Sequence, residues 1–253
     1  MSIDVLQAIY AVFVWYPTIP ATLAFLAIAS YYDVKYREID VKLFIAAVPA
    51  IVLVHVIFYA LRPFPNVFPL ILNAVITGVV TGTTLVLARL GVKGYGDVLL
   101  VLVTGLLNPF DVPLWGLHFT PLALTIVYGA AYVVALIVVN VVHNVKRWVD
   151  FEKASSALSS SMKLFYLVAG KVMTKDEFKA KKFYFPLYDG STSRLIAKVG
   201  EEPLEGREYN IQGDYVIATY GFPFSLLLLV GYAIFVATLL YLAIVPPASH
   251  GCG

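Results

Sequence analysis

The chain has 253 residues, 60% of them hydrophobic and 13% charged, with a mean hydropathy of +0.83. A soluble domain would be hard pressed to cover that composition with polar surface, so it points to an integral membrane protein and against an ordinary globular one. The net charge of +2 gives no case for nucleic-acid binding, and the single cysteine, Cys252, excludes an intrachain disulfide and a cysteine-built zinc site.

A spanning helix needs roughly 20 mostly apolar residues. The first such run covers 17–33; Pro17 and Pro20 interrupt the longer apolar stretch 5–33, so the part before Pro17 is either a kinked extension or a helix lying in the interface. No Lys or Arg precedes Lys35, so the basic start of a cleaved signal peptide is absent and the first helix is expected to be retained. Spans two and three are expected at 42–61 and 67–89. His55, alone in the second, reads as hydrogen-bonded packing. In the third, Gly78 and Gly82 form a GxxxG, with Asn73, Thr77, Thr81 and Thr84 on a neighbouring face; both features read as close helix packing, the polar face being able to hold water. The fourth, 98–118, is irregular: only ten apolar residues separate Asp97 from Asn108, and Asp111, Pro113 and Gly116 follow, so this span is expected to be broken or short. The fifth and sixth are expected at 121–143 and 222–245. The expected fold class is an all-α polytopic membrane protein of about six transmembrane helices with a small α+β cytoplasmic insertion.

With six crossings, 17 of the 18 basic residues fall on one face, Arg62 alone on the other, which makes the basic face cytoplasmic and puts both termini outside. Residues 144–220 hold 22 of the chain's charged residues in 77 positions, marking a soluble insertion between a membrane domain of residues 1–143 and a last helix and tail of residues 221–253. In the insertion, Thr174 to Glu177 reads as a capping box. Residues 182–189 alternate as a strand, and 207–220 read as a hairpin turning at Gly213-Asp214.

Two acidic residues interrupt the apolar pattern on the same cytoplasmic side: Asp33 in "YYDVKYREID" (31–40) and Asp97 in "GVKGYGDVLL" (91–100). Paired carboxylates suit water-activating aspartic catalysis, because close like charges hold one proton between them: the ionised partner takes a proton from water and the protonated one donates to the scissile carbonyl. No metal is required. Gly94, Tyr95 and Gly96 read as an active-site loop, the glycines free to take positive φ and to let a substrate strand approach. Helix direction favours the neutral form at Asp33, on a C-terminal end, and the anion at Asp97, on an N-terminal end. The plainer alternatives are an N-cap at Asp97 and a boundary charge at Asp33 paired with Lys35 or Arg37.

At these residues the chain resembles the type IV prepilin peptidases, in particular the archaeal preflagellin and prepilin peptidases of the GxGD aspartic protease group. "SYYDVKYREI" (30–39) is similar to the segment around the family's first catalytic Asp, "KGYGD" (93–97) to its GxGD, and "GFPF" (221–224) to a Pro-Phe element entering the last span. The resemblance implies Asp33 and Asp97 as catalytic residues, no cofactor, a plasma-membrane location with the site on the cytoplasmic side, and pilin or archaellin precursors as substrates, cut at the edge of their hydrophobic helix. Bacterial members often carry a four-cysteine zinc module and a methyl-transfer activity; without those cysteines the archaeal, protease-only type fits.

Lys35, Arg37 and Lys93 are candidate substrate-binding residues, with positive-inside anchoring as the simpler reading. Glu201, Glu202, Glu205 and Glu208 read as a solvated acidic loop, with attraction of a basic leader as the alternative. His118, His143 and His250 are scattered and suggest no metal site. Rival functions are a presenilin- or signal-peptide-peptidase-like intramembrane protease, which shares Tyr-Asp and GxGD but carries more spans and a Pro-Ala-Leu element absent here, a proton-coupled transporter, and a membrane scaffold needing neither Asp.

Overall fold

The computed structural model of the protein describes residues 16, 18–61, 67–89, 94–114, 117–181, 184–189, 211, 213–221 and 223–244. Lys93, Arg62, the 201–208 glutamates, His250, Cys252 and residues 1–15 lie outside them. The chain divides into two compact units, one holding most of the long helices and the other centred on residues 131–222.

The first unit contains α1 (Thr18–Tyr36), α2 (Val41–Leu61), α3 (Val67–Arg89), α4 (Tyr95–Leu106), a hairpin of β1 (Val112–Leu114) and β2 (Leu117–Phe119), the first part of α5 (Pro121–Lys146), and α9 (Phe224–Ile244). Among the described residues, three helices, α3, α5 and α9, have the length and hydropathy to cross a membrane, against the six expected. The apolar run of α2 covers Val41–Ile57, and α1 is diluted by polar residues from Thr18 to Lys35.

The expected 98–118 span is replaced by a short helix and a hairpin. The twelve residues of α4 rise about 18 Å, well short of a hydrocarbon core of about 30 Å. Leu107 ends the helix in right-handed geometry, its N–H shared between the Val103 and Gly105 carbonyls. Pro109 lacks the N–H that another turn needs. The chain then reverses through antiparallel β1 and β2, with Val112 opposite Phe119, and His118 pairs with Asp111 beside it.

Ile19, Leu26, Leu100, Val101, Leu122, Leu228 and Tyr232 form the centre of this unit's core. The glycines that permit close helix approach are not those of the GxxxG. A Cβ added at Gly78 or Gly82 would meet nothing within 4 Å, whereas one at Gly105 would fall 2.3 Å from Thr77 Oγ1, and one at Gly231 would fall 2.1 Å from the Thr125 carbonyl oxygen. Close approach therefore occurs between α4 and α3 and between α9 and α5. The polar face of α3 does pack: Asn73 and Thr77 are buried, and Asn73 Nδ2 donates to the Gly105 carbonyl at 3.0 Å.

The second unit holds α6 (Trp148–Ala154), α7 (Ser160–Ala169), β3 (Lys171–Thr174), α8 (Lys175–Ala180), β4 (Tyr184–Tyr188) and β5 (Tyr215–Tyr220). Residues from 131 onward along α5 group with it, upstream of residue 144 where the soluble insertion was expected to begin. β5 lies between β3 and β4, antiparallel to both. Among the described residues its partners are these two strands rather than a local hairpin arm. β4, an edge strand, tolerates Pro186 and carries an irregularity between Pro186 and Tyr188. Alternation along β5 splits the core: Ile217 packs with Phe151, Tyr166 and Leu187, and Val216 and Ala218 pack with Met173 and Phe178. The capping box forms as expected, Thr174 Oγ1 accepting from the Glu177 N–H while the Glu177 carboxylate accepts from the Thr174 N–H.

Candidate active site

Asp33 lies in the last turn of α1, its carbonyl accepting the Arg37 N–H at 3.0 Å. Arg37 follows in left-handed conformation (φ 58°), the helix-ending geometry more often filled by glycine. The Asp33 carboxylate does not take Lys35 as its partner. Lys35 Nζ donates to Tyr31 Oη at 2.9 Å and sits 4.9 Å from the Tyr36 ring centre, held by the tyrosines of its own helix. Asp33 Oδ2 instead accepts two hydrogen bonds from Ser225, from its Oγ at 2.5 Å and its backbone N–H at 3.3 Å. Ser225 is fully buried in the first turn of α9. Two helix ends therefore meet at this carboxylate, the C-terminal end of α1 and the N-terminal end of α9.

Asp97 occupies the third position of α4, its N–H bonded to the Gly94 carbonyl at 3.1 Å. The N-cap is Gly94, not Asp97, and Gly94 is extended (φ −82°, ψ 154°) rather than left-handed. Tyr95 and Gly96 were expected in a loop; they form the first turn of α4, because that bond to Gly94 closes the turn there. A Cβ at Gly96 would meet nothing within 4 Å among the described residues, so their packing imposes no need for glycine there. Tyr95 is 64% exposed beside it.

Asn108 sets the relation between the two segments. Its Nδ2 donates to Thr22 Oγ1 at 3.1 Å and to the Thr104 carbonyl at 2.7 Å, and its Oδ1 accepts from Tyr232 Oη at 2.7 Å and Thr18 Oγ1 at 3.3 Å. This buried cluster ties the N-terminal end of α1 to the C-terminal end of α4 and to the middle of α9. Eleven residues separate Thr22 from Asp33, and eleven separate Asp97 from Asn108. Eleven residues are close to three helical turns and about 16 Å of rise. Each aspartate thus lies three turns from the same pin, on the face of its helix that makes the pin.

Sequence reasoning missed Asn108 as part of this arrangement and reached Ser225 only through segment 222–226, read as shaping the fold and the active site. Ser225 directly follows the "GFPF" element, and Asn108 reads in sequence only as a helix break before Pro109; polarity inside an apolar run was the available signal for both.

The fold and site define a helical protein with membrane-length apolar helices and two carboxylates set at helix ends. Residues 21–141 match the type IV leader peptidase family, a family of proteases. That segment contains Asp33, Gly94, Tyr95, Gly96, Asp97 and Asn108. No curated protein and no solved structure matches the chain.

Proposed function

We propose that the protein is a membrane aspartic endopeptidase of the GxGD type that removes the leader peptide of archaellin or type IV pilin-like precursors at the cytoplasmic face, with Asp33 and Asp97 as its dyad. The observation that supports the reading is the equal spacing of the two aspartates, eleven residues each, from the Asn108–Thr22 pin. Six crossings, counting α1, α2 and the short α4 with the three long apolar helices, put both residues on the basic side of the chain.

In this reading one carboxylate, ionised, takes a proton from water as the water oxygen attacks the scissile carbonyl carbon. The other gives its proton to the carbonyl oxygen, forming a tetrahedral diol. Collapse breaks the C–N bond, a proton passes to the leaving amine, and the pair again holds one proton. The space left at Gly96 among the described residues and the exposed Tyr95 give the substrate backbone a place to approach Asp97. Lys35, Arg37 and Lys93 remain candidates for contact with the precursor.

A second reading follows from Ser225: Asp33 caps α9 and does no chemistry. Asparagine caps a helix about as well as aspartate, so Asp33→Asn separates the two. Cleavage of a tagged precursor in membranes carrying wild type, Asp33→Asn or Asp97→Asn, with EDTA present, is expected to stop in both variants at wild-type expression. Normal cleavage by either variant would make that Asp structural. Failure of wild type to cut any filament precursor would remove the substrate class.

A further inference from the structure

Ser225 and Asp33 are 192 positions apart, yet both donors of Ser225 converge on the same carboxylate oxygen. We propose that Ser225 is a positioning residue for Asp33, fixing Oδ2 so that Oδ1 is the oxygen that exchanges protons; this rests on the aspartic-dyad reading above. A carboxylate oxygen has two lone-pair directions, and at Oδ2 the Oγ–H and the N–H of Ser225 fill both. That oxygen cannot also take up the proton of an attacking water. Oδ1 has no hydrogen-bond partner among the described residues and is the oxygen left to do so.

The local sequence explains why Ser225 is available. The Leu226 and Leu227 N–H groups both turn back to the Pro223 carbonyl, at 3.2 and 3.4 Å. The Ser225 N–H, in the first turn, has no intrahelical acceptor and needs an outside one. Asp33 supplies it. With the backbone bond holding one direction and the hydroxyl the other, the carboxyl group cannot rotate to exchange its oxygens. A dyad in which one partner must present a fixed oxygen to water gains from that constraint. The hydroxyl is fully buried and not open to substrate, so it acts through Asp33 rather than on the peptide.

The test uses the full-length protein in membranes with a tagged precursor, comparing wild type with Ser225→Ala, Ser225→Thr and Ser225→Val. Thr and Val have the same shape and differ by the hydroxyl. Loss of a hydrogen bond to a charged group corresponds to about a tenfold to hundredfold effect. Ala and Val are expected to lower kcat by that much with KM within about twofold of wild type. Thr should restore most of the rate. Equal rates for Thr and Val, wild-type cleavage by Ala, or a loss confined to KM would each overturn the proposal. If the added methyl prevents Thr and Val from accumulating, Ala against wild type decides. Asp33→Asn is run alongside: if it does not cleave while Ser225→Ala cleaves normally, the positioning role fails and the dyad stands. If Asp33→Asn itself cleaves normally, the dyad reading fails on its own account.

Discussion

Asn108 Nδ2 donates to Thr22 Oγ1 at 3.1 Å, joining the end of α4 to the start of α1 inside the core. Every polar atom in that cluster has a partner: Tyr232 Oη and Thr18 Oγ1 donate to Asn108 Oδ1, and Thr22 Oγ1 donates to the Thr18 carbonyl. A satisfied buried network fixes one arrangement of its helices, because any slip leaves polar groups unpaired in an apolar surround. Here the arrangement fixed is that of α1, α4 and α9 around Asn108.

Asn108→Ala is therefore expected to lose activity and stability together. It strands the Tyr232 and Thr18 hydroxyls and removes the donor to Thr22 Oγ1, a loss of about 2–4 kcal/mol for several buried bonds. Tyr232→Phe removes one donor and leaves the rest, with an expected loss of about 1 kcal/mol. Thermal unfolding in detergent, read beside precursor cleavage, checks both; wild-type behaviour of Asn108→Ala would show that the pin does not fix the arrangement of these helices.

Gly105 predicts a reciprocal pair. A methyl there would lie 2.3 Å from Thr77 Oγ1, so Gly105→Ala is expected to force α4 from α3 and to destabilise by about 1–3 kcal/mol. Thr77→Ala in the same chain opens the space and should recover most of that loss, whereas Gly78→Ala, facing open space, should be nearly silent. A double-mutant cycle on unfolding temperature measures the coupling.

Asn144 is the corresponding test in the second unit. On α5 its Nδ2 donates to the Leu167 and Gly170 carbonyls and its Oδ1 accepts the Val172 N–H. Asn140 and His143, on the same face, bond the Val168 and Val172 carbonyls. Asn144→Ala should release the α7–β3 connection, with a loss of about 2–4 kcal/mol. Limited proteolysis of the full chain would detect it as faster cutting around residues 167–172.

Glu177 gives the unit an acid-sensitive point. Two hydrogen bonds from Arg147 Nη1, at 2.7 and 3.0 Å, and then the Thr174 N–H hold its carboxyl below the ordinary 4.5. A depressed carboxyl stabilises the fold above that ordinary value and ceases to as the pH falls through the lowered one. Wild type should thus exceed Glu177→Gln in unfolding temperature at neutral pH, with the gap closing below about pH 4.5. A gap independent of pH would mean that the carboxylate charge is not what Arg147 and Thr174 hold.

The legible features were local ones. The capping box at Thr174–Glu177 and the strand within 182–189 depend on neighbours a few residues away. The shortness of α4 follows from the ten apolar residues before Asn108 and from Pro109. The GxxxG of α3 was misread because a small-residue pattern shows that close approach is permitted, not that a partner helix is there; Thr77 meets its glycine on α4 instead. β5 was read with a local turn; among the described residues its partners, β3 and β4, come from earlier in the chain.

By itself the sequence determined the membrane class, the match of residues 21–141 to the type IV leader peptidase family, and which two carboxylates interrupt the apolar pattern, since composition and motif need no knowledge of packing. Only the tertiary structure decided that Asp33 meets Ser225 and that Asn108 pins α1, α4 and α9. The physical reason lies in α9: a helix apolar all round carries no stripe to say which face meets which neighbour, so rotation and level are set by the few polar contacts that form once the helices pack.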